Sequence, residues 1–198
     1  MHQFTEEPGS WMTEQRPAEL PDAHLVEMAQ RDPTAFVHLY DRYVDQIYRY
    51  CAQRLTPTAA EDATSVAFLN ALRAIDGFDP VRGGFRAWLY RIAHNAVIDQ
   101  TRVRRHAQID DLALEDPEIG LEERVVAIDQ RQSLLRAVRQ LPPDQQQVIH
   151  LRLASLTGAE IAQAMGRSHV AVRALQHRAI KRLRTILQPV GKDLTHDQ

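Results

Sequence analysis

Every aromatic residue of this chain lies between Phe4 and Tyr90, and the stretch from Arg91 to Gln198 contains no Phe, Tyr or Trp. Such a chain carries two kinds of surface. Its first half can offer flat faces on which unpaired bases stack, whereas an aromatic-free half that ends in a basic stretch suits intact double helix.

Which elements carry them follows from periodicity. Leu, Ala, Arg, Gln and Glu dominate, Gly is sparse, and runs of Val, Ile and Thr at strand spacing are missing. The reading is all-α. With 198 residues and a hydrophobic fraction of 44%, the chain has material for two small helical domains.

A formal net charge of −2 does not suggest a nucleic-acid binder until the charges are placed. Asp110, Asp111, Glu115, Asp116, Glu118, Glu122, Glu123 and Asp129 face one base, Arg124. That block masks two basic groups: Arg102, Arg104 and Arg105 before it, and Arg167, Arg173, Arg178, Lys181, Arg182 and Arg184 after it. Cys51 is the sole cysteine, so neither an internal disulfide nor a thiolate metal site is expected. No apolar h-region or long apolar run occurs, which predicts a cytoplasmic chain with no direct membrane insertion. The histidines show no H-E-x-x-H spacing, and no glycine loop is built for phosphate. Neither enzyme chemistry, catalytic residues, cofactor nor metal is expected.

Along the chain, residues 1–21 lack apolar periodicity and read as a tail. Asp22 is a candidate N-cap for a helix to Arg31, broken by Asp32-Pro33. Phe36, Leu39, Tyr40, Tyr43, Ile47, Cys51 and Leu55 recur at helical spacing as a core stripe. In the next helix Glu61 and Asp62 suit the first turn, Val66, Leu69 and Leu72 form the expected inner face, and Gly77 marks the stop. After the loop from Phe78 to Gly84, Phe85, Trp88, Leu89, Ile92 and Ala96 restart a helical face, with Trp88 read as core. Tyr40, Tyr43, Tyr48 and Tyr50 are read as packing or lining the domain, and Cys51 as an inert buried thiol. Residues 22–106 form the first domain, 107–126 an acidic linker, 127–188 the second domain and 189–198 a tail.

The second domain carries the sharper signal. Thr157-Gly158-Ala159-Glu160 is a capping box opening a short helix, Gly166 supplies a turn, and Ser168 caps a longer helix. There Val172, Leu175, Ala179, Leu183 and Ile186 fall on one side, while His169, Arg173, Gln176, His177 and Arg184 fall opposite, flanked by Arg178 and Lys181. This is the helix-turn-helix pattern, whose second helix enters the major groove. Arg173 is the candidate for a base edge. Lys181, Arg182 and Arg184 suit phosphates.

Five strings then fall in order: "DPTAFVHLYDRY" from Asp32, "AEDATSVAFLNALRAIDGFDP" from Ala60, "FRAWLYRIAHNAVID" from Phe85, "LPPDQQQVIHLR" from Leu141 and "GAEIAQAMGRSHVAVRALQHRAIKRL" from Gly158. The ordered set resembles an extracytoplasmic-function (group 4) sigma factor of bacterial RNA polymerase, over about Asp22 to Leu187. The resemblance implies a sigma-2-like and a sigma-4-like domain that bind core RNA polymerase at the clamp helices of its large subunit and at its flap. It also implies promoter DNA as ligand, with the minus-35 element read as duplex by Ser168, His169, Arg173, Gln176, His177, Arg178, Lys181 and Arg184. Arg82, Phe85, Arg91 and Asn95 match the region around the minus-10 pocket for an extruded base, and Arg102, Arg104 and Arg105 match its basic end. Glu61, Asp62, Ser65, Asn70 and Arg73 match the polymerase-docking helix, although relatives usually have Gln-Glu where Ser65 and Val66 stand. Leu175 and Gln176 also depart from the Arg-Leu order common in relatives. Many relatives are restrained by an anti-sigma factor, and the linker is expected to run towards the RNA exit path or to serve as a solubilising spacer. An autonomous helix-turn-helix regulator would share the DNA-reading half and would use the first hundred residues for ligand binding or dimerisation.

Overall fold

The computed structural model describes residues 19–107 and 133–187, and the side chains of 19–102 and 133–187. Apart from Ala107 the expected linker lies outside the described residues, as do the two tails apart from residues 19–21. Among the described residues every regular element is helical: α1 (Asp22–Arg31), α2 (Val37–Ala52), α3 (Pro57–Ala74), α4 (Phe85–Ala107), α5 (133–139), α6 (Pro143–Leu153), α7 (Gly158–Met165) and α8 (His169–Leu187). Short 3-10 turns occupy Pro33–Phe36, Ile75–Gly77 and Pro80–Arg82.

Helix α1 begins at Asp22 itself, after an extended Pro21, so Asp22 is not the N-cap that the sequence suggests. Its carboxylate accepts from Arg42 at 2.6 Å and from the Tyr43 hydroxyl, both on α2. Charge-assisted bonds of this kind are about twice as strong as neutral ones. The tertiary pairing therefore displaces the local cap. At the other end of α1, Gln30 Nε2 donates to the carbonyls of Ile75 at 2.9 Å and Phe78 at 3.0 Å, tying α1 to the end of α3.

Leu39, Tyr43, Ile47 and Cys51 are buried on α2 as their spacing predicts, but Tyr40 stays half-exposed with its ring edge-on to Phe68 at 4.8 Å. Burial pushes the Cys51 thiol up to about 11, which keeps it protonated and unreactive at neutral pH.

Of the predicted inner face of α3, Leu72 packs against the core but Val66 and Leu69 do not. Ala60, Ala63, Thr64, Ala67, Phe68 and Ala71 are buried, while Val66 and Leu69 are 40% and 45% exposed. Small side chains let α3 lie close to α2 and α4, and Phe68 packs edge-on against Phe36 and Tyr40. A stripe of alanines is a weak hydrophobic signal, so Val66 and Leu69 looked like the core from sequence. Helix α4 supplies Phe85, Leu89, Tyr90, Ala93, Ala96 and Val97 to the same core. Phe78, Phe85 and Trp88 meet one another at 5.1 to 5.9 Å, and Tyr43 lies 5.8 Å from Phe85. This cluster anchors the glycine loop between α3 and α4. Offset and edge-on aromatic pairs at such separations add to simple area burial.

In the second half Ala137, Val138, Leu141, Ile149, Ala179 and Leu183 pack together without a single ring. Leu183 is the last α8 side chain in that cluster, and Ile186, expected inward, is exposed at the end of the helix. The other sides of α6 and α8, carrying Val148, Leu151 and Val172, and the buried side of α7, carrying Ile161, join the buried set of the first half. The two halves are therefore in direct contact.

Candidate nucleic-acid interface

The helix-turn-helix is built as the sequence specifies. The Glu160 N–H donates to Thr157 Oγ1 at 3.2 Å, and the Thr157 N–H donates to Glu160 Oε2 at 2.7 Å, which closes the capping box at the start of α7. Gly166 ends α7 with φ 61°, a left-handed position that suits glycine, and Ser168 Oγ accepts from the Ala171 N–H at 3.2 Å to start α8. Gly158 leaves room for a neighbouring side chain. A Cβ there would lie 2.7 Å from Nε2 of the exposed His169, so the tip of that side chain would have to turn aside.

On α8 the residues Val172, Leu175, Ala179 and Leu183 are buried, and Ser168, His169, Arg173, His177, Arg178, Lys181 and Arg184 are exposed. Arg173, His177 and Arg184 follow one face over about 16 Å of helix, a length that suits a major groove. Gln176 is only half-buried, and its Oε1 accepts from Arg152 Nη2 at 3.2 Å. Arg152 thus fixes the orientation of a candidate reading residue, a role the sequence alone did not suggest.

On α4 Arg91, Asn95 and Arg102 are exposed and fall on one helical face. Arg104 and Arg105 lie within α4, but their side chains are outside the described ones. Arg82 projects from the loop, paired with Asp79 at 3.4 Å, while the Asp79 carboxylate accepts from the Val81 N–H at 2.9 Å. Phe85 differs from expectation. It is 2% exposed inside the aromatic cluster, so its ring faces the core rather than an open pocket.

The outer face of α3 gathers Glu61, Asp62, Ser65, Asn70 and Arg73, all exposed. Val66 and Leu69 sit among them. Sequence reasoning placed those two inside and so missed an apolar centre within a polar rim, the usual anatomy of a protein-docking patch.

Where the halves meet, Gln163 of α7 and Gly84 exchange two hydrogen bonds, 3.0 Å from the Gly84 N–H to Oε1 and 3.1 Å from Nε2 to the Gly84 carbonyl. Gly83 stands at φ 144°, and a Cβ there would collide with the Gln163 side chain. Arg86 Nη2 donates to the Ala154 carbonyl at 3.0 Å, and its Nη1 donates to the Ser155 carbonyl at 3.4 Å and to Glu160 Oε1 at 3.3 Å. One guanidinium therefore meets both the carbonyl end of α6 and the capping carboxylate of α7. Burial pushes the Glu160 carboxyl up, but bonds from Thr157 and the charge of Arg86 outweigh it and leave its pKa lowered.

Deeper in, His150 of α6 meets Gln53 Oε1 through Nδ1 at 2.8 Å, and His94 of α4 lies 3.2 Å from the Tyr50 hydroxyl and 3.0 Å from Arg54 Nη1. Burial, joined by the Arg54 charge, brings His94 down to about 4 and His150 to about 3. Both imidazoles are neutral at pH 7. Beside the contact lies an open cleft of about 420 Å³ bordered by Arg49, Tyr50, Arg86, Tyr90 and Ser155. No group of three or more His, Cys, Asp or Glu among the described residues is placed to hold a metal ion, and no described helix is long and apolar enough to cross a membrane.

Two family profiles match the chain in order, Sigma-70 region 2 over residues 39–108 and Sigma-70, region 4 over residues 131–183. The ECF RNA polymerase sigma-E factor of Escherichia coli (strain K12) is 31% identical over 188 residues, covering 87% of this chain and 97% of that one. The chain belongs to the ECF sigma factors. The ECF RNA polymerase sigma factor BldN of Streptomyces coelicolor is 41% identical over 170 residues, covering 82% of this chain, which spans 64% of that relative's own length. The solved structure of CnrH in complex with the cytosolic domain of CnrY aligns at TM-score 0.65 and 26% identity, over 84% of this chain and 96% of that one. In this sigma factor the exposed faces of α3 and α4 fall within the region 2 match, and the exposed face of α8 falls within the region 4 match.

Proposed function

We propose that this sigma factor binds core RNA polymerase and directs it to promoters, with region 4 reading the minus-35 element as duplex and region 2 helping to open the minus-10 element. The observation that carries this reading is the pairing of a solvent-facing, basic second helix in a capped helix-turn-helix with a separate exposed patch on α3, one surface for DNA and one for protein. Arg173 and Gln176 take base edges, and Lys181 and Arg184 take phosphates. Ser168, His169, His177 and Arg178 line the same approach. Arg82, Arg91 and Asn95 surround the minus-10 contact, Arg102, Arg104 and Arg105 steer the strand backbone, and Phe85 holds the loop from within. Glu61, Asp62, Ser65, Asn70 and Arg73 dock the polymerase around Val66 and Leu69.

Residues 22–106 and 127–188 serve as the two working domains of a chain acting in the cytoplasm. The CnrH neighbour is solved with the cytosolic domain of another protein, which supports an anti-sigma partner for this chain too. The test is transcription by reconstituted polymerase on promoter fragments, together with gel shifts with and without core enzyme. Initiation that needs both proteins supports the reading. Tight, specific DNA binding by the isolated chain would favour an autonomous regulator instead.

A further inference from the structure

The contact between the halves conflicts with the proposed task. Elements named for positions 35 and 10 before the start lie about 25 base pairs apart, about 85 Å of duplex at 3.4 Å per pair. A chain that touches both cannot keep Gly84 bonded to Gln163 and Arg86 to Glu160. The arrangement described here is therefore a closed one, and it must part before the chain spans a promoter.

What sits at the heart of the contact determines what can part it. His150, on α6, is 2% exposed and lies against the first half, bonded to Gln53. The charged and titratable groups facing it are Arg54, from the segment after α2, His94 of α4, and Arg139 at the end of α5. His94 in turn faces Arg54, Tyr50 and His150. All of these are basic or neutral, and no carboxylate is among them. A proton added to His150 would create a buried cation beside the partly buried Arg54, with no carboxylate among the described groups that act on it to offset the charge.

We propose that the closed contact is acid-labile and that His150 is its trigger: protonation of this imidazole, seated between Gln53, Arg54 and His94, drives the two halves apart. The inference rests on the sigma-factor reading only for the purpose of opening; its physical content is a change in shape that needs neither polymerase nor DNA.

The sign follows from linkage. In the closed state His150 stays neutral down to about 3, whereas in water an imidazole takes its proton near 6.5. Its neutral form favours closure fully above about pH 6.5, and that preference is lost progressively as the pH falls below 6.5. Between pH 7.5 and 5.5 the ratio of open to closed chains rises about 10-fold from His150 alone, and further where His94 also gains water. The Arg86–Glu160 pair acts in another window. Glu160 is held below its usual value, so that pair survives this range and is lost only at lower pH.

The experiment is single-molecule energy transfer between dyes on Asp76→Cys, exposed after α3, and Thr185→Cys, exposed on α8, with buried Cys51 left unlabelled. Far-UV circular dichroism is read in parallel. Transfer should fall from pH 7.5 to 5.5 at constant helicity, with the open fraction rising by the stated factor. His150→Gln, which keeps a polar group for Gln53 but takes no proton, should flatten the response, and His94→Gln should reduce it less. Transfer independent of pH would overturn the inference. So would an undiminished response in His150→Gln, or a loss of helicity in step with transfer. A pH-driven opening in a chain that fails to support initiation would leave the inference standing and remove the proposed promoter-directing function.

Discussion

Arg86 and Glu160 stand 74 positions apart in sequence and 3.3 Å apart in space, and the same guanidinium also holds the carbonyls of Ala154 and Ser155. One side chain from the start of α4 thus spans the end of α6 and the capping box of α7. Each of Arg86 and Glu160 is about a quarter exposed, so water screens the pair in part. Arg86→Ala should lower stability by about 1 kcal/mol, read as a reduced Tm by circular dichroism. The difference from the parent should narrow in high salt, because a partly solvated ion pair is screened. An equal loss at all ionic strengths would mean that the seat of the guanidinium over the Tyr90 ring, 5.9 Å from its centroid, dominates.

The outer face of α3 makes a separate prediction. Asp62→Ala and Leu69→Ser alter exposed side chains, so each should change folding stability by less than about 0.5 kcal/mol. Each should nonetheless weaken association with core polymerase, by about 10-fold where the residue lies at the patch centre. Titration of labelled chain with core enzyme measures this directly. Unchanged affinity in both variants would move the docking surface elsewhere.

Phe85 and Asn95 stand on the same helix and should fail in different ways. Phe85 is enclosed by Phe78, Trp88 and Tyr43, so Phe85→Ala should cost about 3–5 kcal/mol and be visible in thermal melts before any DNA is added. Asn95 is exposed, so Asn95→Ala should leave the melt nearly unchanged and impair promoter opening more than polymerase recruitment. Permanganate reactivity of the minus-10 strand separates the two steps. Normal strand opening by the Asn95 variant would remove it from the proposed pocket.

Local signals proved the most legible. The capping box at Thr157, the left-handed turn at Gly166 and the cap at Ser168 are fixed by residues within a few positions, and the structure realises all three. The phase of α8 was legible through Leu183 because aliphatic and basic residues alternate there at helical spacing. On α3 the phase was misjudged, since Ala63, Ala67 and Ala71 carry little hydrophobic signal and the larger Val66 and Leu69 dominate any sequence pattern. Asp22 reads as a local cap in the sequence because its true partners, Arg42 and Tyr43, lie on another helix. The contact between the halves left no trace in periodicity at all. Arg86, Gln163 and His150 are polar residues whose roles depend on partners about 70 to 100 positions away.

The exposed face of α8 allows the sharpest discrimination between the proposed base and backbone contacts. Arg173 is exposed near the start of α8, where the helix of such a motif meets base edges, and Lys181 lies two turns further along. A guanidinium can donate twice to the two acceptors of guanine, so Arg173→Ala should cost about 1–3 kcal/mol at one preferred base and relax the preference there. Lys181→Ala should instead weaken binding evenly across sequences and reduce the salt slope by about one, as expected for a lost phosphate contact. Both are measured by competing variant minus-35 sequences against the reconstituted holoenzyme at two salt concentrations. Base preference retained by the Arg173 variant would transfer the reading role to Gln176, whose amide Arg152 already holds in place.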